Sequence, residues 1–185
     1  MGNRISQQQY DLGLFQIGLS NGEWYRVVTS GFLHFGILHI GMNMLLLYQL
    51  GQLLEPSLGR ARFTLLYFAA MFGGAAGAIL LSPNALTGGA SGAVFGLMAA
   101  ASVGLHQRGI NPFQTGIGAT LLLNLVLTLS LPGISIGGHL GGVIVGAATG
   151  YAMMEPRWQR DMKYVGYAAP IAAIALSLIV MAATL

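Results

Sequence analysis

Hydrophobic and polar positions follow one another in long blocks along this chain. Six predominantly apolar stretches are separated by short segments rich in Pro, Gly, Ser, Asn and charged residues. A helix that crosses the hydrocarbon core of a bilayer needs about 20 apolar residues, with about 17 to 25 tolerated. The predicted transmembrane helices lie at residues 33–54, 62–81, 90–106, 113–131, 136–154 and 165–185. The pattern therefore predicts an all-α, polytopic transmembrane helix bundle with six spans.

The composition supports a membrane protein with one domain. Of the 185 residues, 55% are hydrophobic and 7% are charged, and the mean hydropathy is +0.69, whereas soluble proteins carry about 25% charged residues. We interpret 1–32 as an outer N-terminal segment, 33–154 as the core helices and 155–185 as a cytoplasmic loop with a last helix. The chain has no Cys, which excludes disulfides and thiolate metal sites.

The positive charges indicate how the bundle lies in the membrane. Six of the eight Lys and Arg residues follow the first, third or fifth predicted helix: Arg60, Arg62, Arg108, Arg157, Arg160 and Lys163. By the positive-inside rule these loops are cytoplasmic. The uncharged loops at 82–89 and 132–137 then face outward together with residues 1–32. Residues 1–26 contain no apolar signal-peptide region, so the spans themselves direct insertion.

Glycine is the second organising signal, with 28 copies in the chain. Small residues four apart let two membrane helices approach closely. This spacing occurs in two predicted helices, at Gly88, Gly92 and Gly96 and at Gly138, Gly142, Gly146 and Gly150. We therefore expect the helices at 90–106 and 136–154 to contact each other.

Two polar residues on these glycine-rich helices are candidates for catalysis. Ser91 and His139 each lie in the first turn of their predicted helix, at the same outer depth. If the two helices cross closely, the imidazole can hydrogen-bond the hydroxyl, which is the geometry that activates a serine nucleophile. The alternative is that Ser91 is a small packing residue and that His139 is a capping or structural histidine.

The first predicted helix contributes three more polar side chains at the same depth. His39 and Asn43 are four residues apart and share one helix face, where two uncharged donors would suit an oxyanion. Interhelical hydrogen bonding by Asn43 and a histidine pair is the competing interpretation. A metal site of His34, His39 and His139 is a third, but on one helix the first two would point about 140° apart, and we expect no metal.

Carboxylates are scarce on the outer side, where only Asp11 and Glu23 are present. A serine enzyme built from this chain would therefore use a Ser-His dyad rather than a triad. Asn124, midway along the fourth predicted helix, is more typical of helix–helix hydrogen bonding than of a ligand. Trp24 and Tyr25 could form an interfacial belt beside a phosphate-contacting Arg26, and Trp158 could anchor the cytoplasmic side.

Four motifs follow one another in a distinctive order. They are Trp24-Tyr25-Arg26, HFGILHIGMN at 34–43, GASG at 89–92 and GGHLGG at 137–142. In order, spacing and sidedness they resemble the rhomboid family of intramembrane serine proteases, over about residues 22–154. The resemblance implies that Ser91 is the nucleophile and His139 the general base. It also implies that His39, Asn43 and the backbone N–H of Ser91 stabilise the oxyanion.

Other residues match supporting positions of the family. Gly89 opens and Gly92 closes the GxSG motif, and Phe95 stands where the family often has Tyr. Stacking on His139 can survive that replacement, although the phenolic hydroxyl is lost.

The loop before the first predicted helix matches as well. Arg26 corresponds to the arginine of the family's first outer loop, and Trp24 or Tyr25 corresponds to its neighbouring tryptophan. His34 belongs to the HFGILHIGMN motif.

The implied function is cleavage of membrane-protein substrates in or near a transmembrane helix, close to the outer face. The expected partners are transmembrane substrates and the lipid bilayer, with no cofactor and no nucleic acid, and with the oligomeric state undetermined. The expected location is a bacterial plasma membrane, where the multi-pass chain directs its active site outward.

One part of the family pattern has no counterpart in this sequence. The family's first helix, which precedes the Trp-Arg loop, is absent, and the stretch at 165–185 matches the extra C-terminal helix of some members. We expect the natural protein to begin upstream or the chain to be a shortened form, the alternative being a translocated N-terminus.

Two other functions compete with proteolysis. An inactive rhomboid relative that binds membrane clients would usually have lost the serine or the histidine. A small transporter or channel would need intramembrane carboxylates or broken helices near the midplane, and none of the five acidic residues lies at mid-span.

Overall fold

The computed structural model describes residues 6–155 and 162–185, and over these residues the chain is all-α as predicted. The described residues contain nine α-helices, one short 3-10 turn at Ser30–Phe32 and, in place of any strand, a single bridge between Leu14 and Thr87. The helices are α1 Gln7–Leu12, α2 Gln16–Ser20, α3 Arg26–Thr29, α4 Ile37–Leu58, α5 Arg60–Leu81, α6 Ser91–Gln107, α7 Ile117–Ser130, α8 Ile136–Met154 and α9 Val165–Ala182.

The six long helices, α4 to α9, coincide with the six predicted apolar stretches to within a few residues. The largest differences are at the two ends of α4 and at the start of α7. α4 begins at Ile37 instead of residue 33 because the backbone is extended at Leu33, which follows the 3-10 turn, and again at Gly36. α7 begins at Ile117 instead of residue 113, after Gly116 takes a left-handed conformation with φ 81° that favours glycine.

Only some of these helices are long and apolar enough to cross a membrane on their own. Three of the described helices meet that requirement, namely α4, α5 and α9. α7 has 14 residues, which is about 21 Å of helix against a hydrocarbon core of about 30 Å. α6 has 17 residues, and α8 carries His139 and several glycines. The chain is an integral membrane protein, whereas the predicted count of six spans is not confirmed.

α6 forms the centre of the bundle, and its closest neighbour is α8. The two helices share the most extensive contact in the structure, followed by α5 with α8. A side chain at Gly142 would overlap the backbone of Gly92, and one at Gly146 would overlap Gly96. The predicted contact between the two glycine-rich helices is confirmed, except that Gly88 lies before α6, beside Leu33.

The N-terminal segment packs on the end of the bundle where α6 begins. The amide of Gln16 donates to the carbonyl of Pro83 at 2.8 Å, and the amide of Gly89 donates to the carbonyl of Ser30 at 2.8 Å. These bonds tie residues 14–32 to the loop between α5 and α6. The start of α6 is thereby held against the start of α4.

Arg26 is a buried structural residue in this segment and not an interfacial phosphate contact. Its side chain is 3% exposed, and its guanidinium donates to Glu23 at 2.6 Å and to the carbonyls of Tyr10, Asp11 and Gly13 at 2.6 to 2.9 Å. Because the side chain is buried and bonded within the protein, the prediction of an interfacial phosphate contact was wrong.

The two tryptophans were predicted to be interfacial anchors. Trp24 is half-buried and packs against a buried apolar cluster that includes Leu14, Leu19 and Val27. Its main contacts are therefore within the protein. Trp158 lies outside the described residues.

Candidate active site

A cavity of about 460 Å³ lies at the end of the bundle where α6 and α8 begin. Its walls come from α4 to α8, from the N-terminal segment and from the loops at 86–89 and 131–135. Most of its lining is apolar. The side chains in the lining that can form hydrogen bonds include His39, Asn43, Ser91, Asn124, Thr128 and His139.

The structure brings Ser91 and His139 together in this cavity. The Oγ of Ser91 lies 2.8 Å from Nε2 of His139. Ser91 is the first residue of α6 and His139 is the fourth of α8. Because glycines let the two helices touch backbone to backbone, the short serine hydroxyl reaches the imidazole at this depth.

Three contacts hold the imidazole of His139 in place. One ring face stacks on Phe95, with centroids 4.0 Å apart and an interplanar angle of 17°. Nδ1 lies 2.7 Å from the hydroxyl of Thr128, and Nε2 bonds Ser91. His139 is only 9% exposed. The partner of Nδ1 is thus a threonine hydroxyl, where a serine triad would place a carboxylate.

Thr128 was missed when the sequence was interpreted. Its only signal was its spacing, since Asn124 and Thr128 are four residues apart and are polar positions on one face of the apolar helix α7. That pattern is common in membrane helices, where hydroxyls bond the carbonyl of the preceding turn. The contact with His139 depends on how α7 docks against α8.

His39 lines the same cavity as Ser91. Its Nδ1 accepts the amide of Phe35 at 3.4 Å, which assigns the proton to Nε2 and makes that nitrogen a donor. A Cβ on Gly89 would lie 2.8 Å from this Nε2 and 3.6 Å from the Ser91 hydroxyl. Gly89 also has φ 131°, so both the backbone conformation and the space require glycine.

Asn43 lies one turn below His39 on α4 and lines the same cavity. Its side chain is buried, and its amide nitrogen donates to the carbonyl of His39 at 2.8 Å. A primary amide has two N–H donors, so one N–H remains beyond this bond. The two residues predicted to form a donor pair therefore border one cavity with Ser91 and His139.

The first residue of a helix adds a further donor. The first four N–H groups of an α-helix have no partner within the helix, and its N-terminus carries partial positive charge. Since α6 begins at Ser91, the backbone N–H of Ser91 is one of these groups. This N–H belongs to the same residue as the serine hydroxyl and therefore lies close to it.

Three of the predicted supporting residues do not line the cavity: His34, Trp24 and Arg26. His34 precedes α4, so the angle of about 140° expected between His34 and His39 on one helix does not apply. Its ring lies edge-on to His39 with centroids 5.0 Å apart, and its buried Nε2 has no partner. Among the residues that the structure describes, no three His, Asp or Glu side chains converge as metal ligands would.

Comparisons with known proteins identify the family to which the chain is similar. The Rhomboid domain family model matches residues 21–156. The chain is similar to rhomboid protease GluP of Bacillus subtilis, with 34% identity over 75% of this chain and 28% of the relative. It is also similar to RHOMBOID-like protein 1 of Arabidopsis thaliana, with 35% identity over 81% of this chain and 41% of the relative.

The chain is similar to a third relative as well. Rhomboid-type serine protease 2 of Emericella nidulans is 31% identical over 72% of this chain and 27% of the relative. The chain thus spans less than half the length of each of these three relatives.

Proposed function

The chain belongs to the rhomboid family, and on this premise we propose that it is a serine endopeptidase that cleaves transmembrane helices of membrane-protein substrates. The observation that carries the proposal is the 2.8 Å contact between Ser91 Oγ and His139 Nε2 in a cavity at one end of the bundle. A packing serine would need no imidazole at this distance.

The reaction begins at the Ser91 hydroxyl. His139 Nε2 accepts the hydroxyl proton while Oγ bonds the carbonyl carbon of the substrate peptide, and the carbonyl oxygen becomes an oxyanion. The protonated imidazole then gives its proton to the leaving amine as the C–N bond breaks. An acyl-enzyme remains, and a water molecule activated by the same imidazole hydrolyses it to free Ser91.

Three donors are available to stabilise the oxyanion. They are Nε2–H of His39, the amide N–H of Asn43 that is not bonded to the His39 carbonyl, and the backbone N–H of Ser91. Donors aimed at developing charge in a water-poor site lower the barrier by several kcal/mol. All three are uncharged in the arrangement described above, so the site needs no buried counter-ion before the reaction starts.

The surroundings of the site fit a substrate that arrives from the bilayer. Three of the described helices are apolar enough to span a membrane, and two of them, α4 and α5, line the cavity near the end of the bundle. A peptide bond near the end of a transmembrane helix could reach this depth. We propose that the site faces outward, because Arg60, Arg62 and Arg108 lie at the opposite end and favour the cytoplasm.

The first experiment asks whether the serine is reactive. Purified protein in detergent is treated with a fluorophosphonate probe, and cleavage of a model transmembrane substrate is followed in parallel. Ser91→Ala should abolish labelling, and Ser91→Ala and His139→Ala should each lower kcat by about 10⁴-fold or more. Both variants should keep the wild-type thermal midpoint within a few degrees.

Two outcomes would overturn the proposal. Wild-type protein that binds a transmembrane client but neither reacts with the probe nor cleaves would identify an inactive client-binding relative. Cleavage at the wild-type rate by a folded Ser91→Ala or His139→Ala variant would show that the nucleophile or the base lies elsewhere.

A further inference from the structure

The hydroxyl of Thr128 joins two elements of the site. Thr128 and Gly118 are the buried residues of α7, and Thr128 is 2% exposed. Its Oγ1 lies 2.8 Å from the backbone carbonyl of Asn124 and 2.7 Å from Nδ1 of His139. The second bond connects α7 to the imidazole on α8.

Counting protons fixes the direction of both bonds. A threonine hydroxyl has one proton, and the carbonyl oxygen of Asn124 can only accept. The Thr128 proton must therefore point to Asn124, because otherwise two oxygens 2.8 Å apart would face each other without a hydrogen. Oγ1 then presents a lone pair to His139, so Nδ1 must carry a proton and donate it.

This arrangement determines the state of the other ring nitrogen. In a neutral imidazole with its proton on Nδ1, Nε2 has a free lone pair. That lone pair is the acceptor that the Ser91 proton needs. With the opposite tautomer, Nε2–H would face the serine hydroxyl and could not take its proton.

We propose that Thr128 is a positioning residue that holds His139 in the Nδ1-protonated tautomer. Three hydrogen bonds then follow one another: Ser91 O–H donates to His139 Nε2, His139 Nδ1–H donates to Thr128 Oγ1, and Thr128 O–H donates to the Asn124 carbonyl. The inference rests on the proposed function, since the tautomer matters for catalysis only if His139 is the base. It assigns to a hydroxyl and a helix carbonyl the orienting task that a carboxylate performs in a serine triad.

The location of Thr128 gives α7 a part in the chemistry. Ser91 and His139 come from α6 and α8, which are held together by glycine contacts. The tautomer of His139, in contrast, depends on a residue of α7, a short helix with few buried side chains. His139 therefore keeps the tautomer that can accept the Ser91 proton only while α7 packs against α8.

The test compares three variants of the full chain. Thr128→Val keeps the shape of the side chain and removes the hydroxyl, whereas Thr128→Ser keeps the hydroxyl. Ser130→Ala is the matched control, because Ser130 is on the same helix and bonds the carbonyl four residues back, that of Val126, at 2.7 Å. Activity is measured as kcat with a model transmembrane substrate and as the rate of fluorophosphonate labelling.

The expected result is specific to the hydroxyl. Thr128→Val should lower kcat and the labelling rate by about ten- to a hundredfold, with KM changed by less than threefold. Thr128→Ser should stay within about threefold of wild type, and Ser130→Ala should match wild type. Equal loss in Thr128→Ser and Thr128→Val would overturn the proposal by assigning Thr128 to packing.

A spectroscopic readout separates this inference from the proposed function. In ¹⁵N-histidine-labelled protein, the His139 signals, identified by their absence in His139→Ala, should show a protonated Nδ1 and an unprotonated Nε2. Thr128→Val should move the population toward protonated Nε2. An unchanged tautomer would overturn the inference even in an active enzyme. If the wild type proves inactive while the tautomer shifts as expected, only the proposed function fails.

Discussion

Ser91 and His139 are polar side chains in an apolar bundle, and the Ser91 hydroxyl and His139 Nε2 are hydrogen-bonded to each other. A polar group buried without a hydrogen bond costs a few kcal/mol, so membrane proteins place such residues in networks. Here the network continues from Ser91 through His139 to Thr128. The same bonds that make burial tolerable also orient the imidazole toward the hydroxyl.

Asn43 allows the oxyanion donors to be tested one at a time. If Asn43 stabilises the oxyanion as proposed, Asn43→Ala should lower kcat about 10²- to 10³-fold, with a smaller effect on KM. Steady-state cleavage of a model transmembrane substrate measures both constants.

The control for this variant is Asn84→Ala, because Asn84 is exposed in the loop before α6 and does not line the cavity. It should behave as wild type. An Asn43→Ala variant with unchanged kcat and a raised KM would assign Asn43 to substrate binding instead.

Among the elements, the contact between α6 and α8 decides whether the site forms at all. The Ser91 hydroxyl is short, so a hydrogen bond to His139 requires the two helix backbones to touch. Glycines at the crossing allow this approach, because the interface between Gly142 and Gly92 has no room for a methyl group. The order of the helices along the chain does not by itself set the distance between the Ser91 hydroxyl and His139.

A single added methyl group tests this requirement. Gly142→Ala should force α6 and α8 apart, lower the free energy of unfolding by about 1–3 kcal/mol, and reduce cleavage because the Ser91–His139 bond lengthens. Thermal unfolding in detergent and the cleavage assay are the measurements.

Gly51→Ala provides the matched control. It makes the same change inside α4, where the nearest atom to the new methyl group would be Phe63 Cζ at 3.8 Å, an ordinary contact. That variant should be as stable as wild type or slightly more so. Equal behaviour of the two variants would show that the crossing of α6 and α8 is not tightly packed.

At the scale of the whole molecule, the described basic residues Arg60, Arg62 and Arg108 lie at the end of the bundle opposite Ser91 and His139. α6 and α8 run in the same direction, with Ser91 and His139 near one end. At the other end Gln107 Nε2 donates to the carbonyl of Tyr151 at 3.0 Å. Arg108 follows α6 directly, so it lies at the end away from Ser91. This separation agrees with a bundle whose basic end faces the cytoplasm.

Cysteine labelling tests this orientation, and the native chain contains no Cys. Asn84 and Ser57 are both exposed, and they lie at opposite ends of the bundle. In intact cells a membrane-impermeant thiol reagent should label Asn84→Cys. It should label Ser57→Cys only after the membrane is permeabilised. Labelling of Ser57→Cys in intact cells would reverse the assignment.

Much of the fold followed from the sequence because long apolar blocks and short turns are local signals. The blocks predicted all six long helices, and the positions of Ser91 and His139 within their first turns followed from those boundaries. Helix starts were less predictable. Extended backbone at Leu33 and Gly36 and the left-handed Gly116 delay α4 and α7 by about one turn each. Composition does not specify these backbone conformations.

The role of Arg26 depended on tertiary structure. An arginine beside two aromatic residues before an apolar stretch has the composition of a membrane interface. In the folded chain its guanidinium instead satisfies three backbone carbonyls and Glu23. Carbonyl acceptors belong to every residue, so no sequence pattern marks the ones that will converge on a given side chain.

The sequence by itself determined the helical class, the glycine ridges and the candidates Ser91, His139, His39 and Asn43, because periodicity, residue size and polarity are properties of short segments. Only the tertiary structure decided that His34 stays outside the cavity and that Thr128 reaches Nδ1 of His139. Both outcomes depend on how helices distant in the chain dock and rotate against one another. A shift of one helical position, about 100° around the axis, would turn Thr128 away from His139 without altering the apolar pattern of α7.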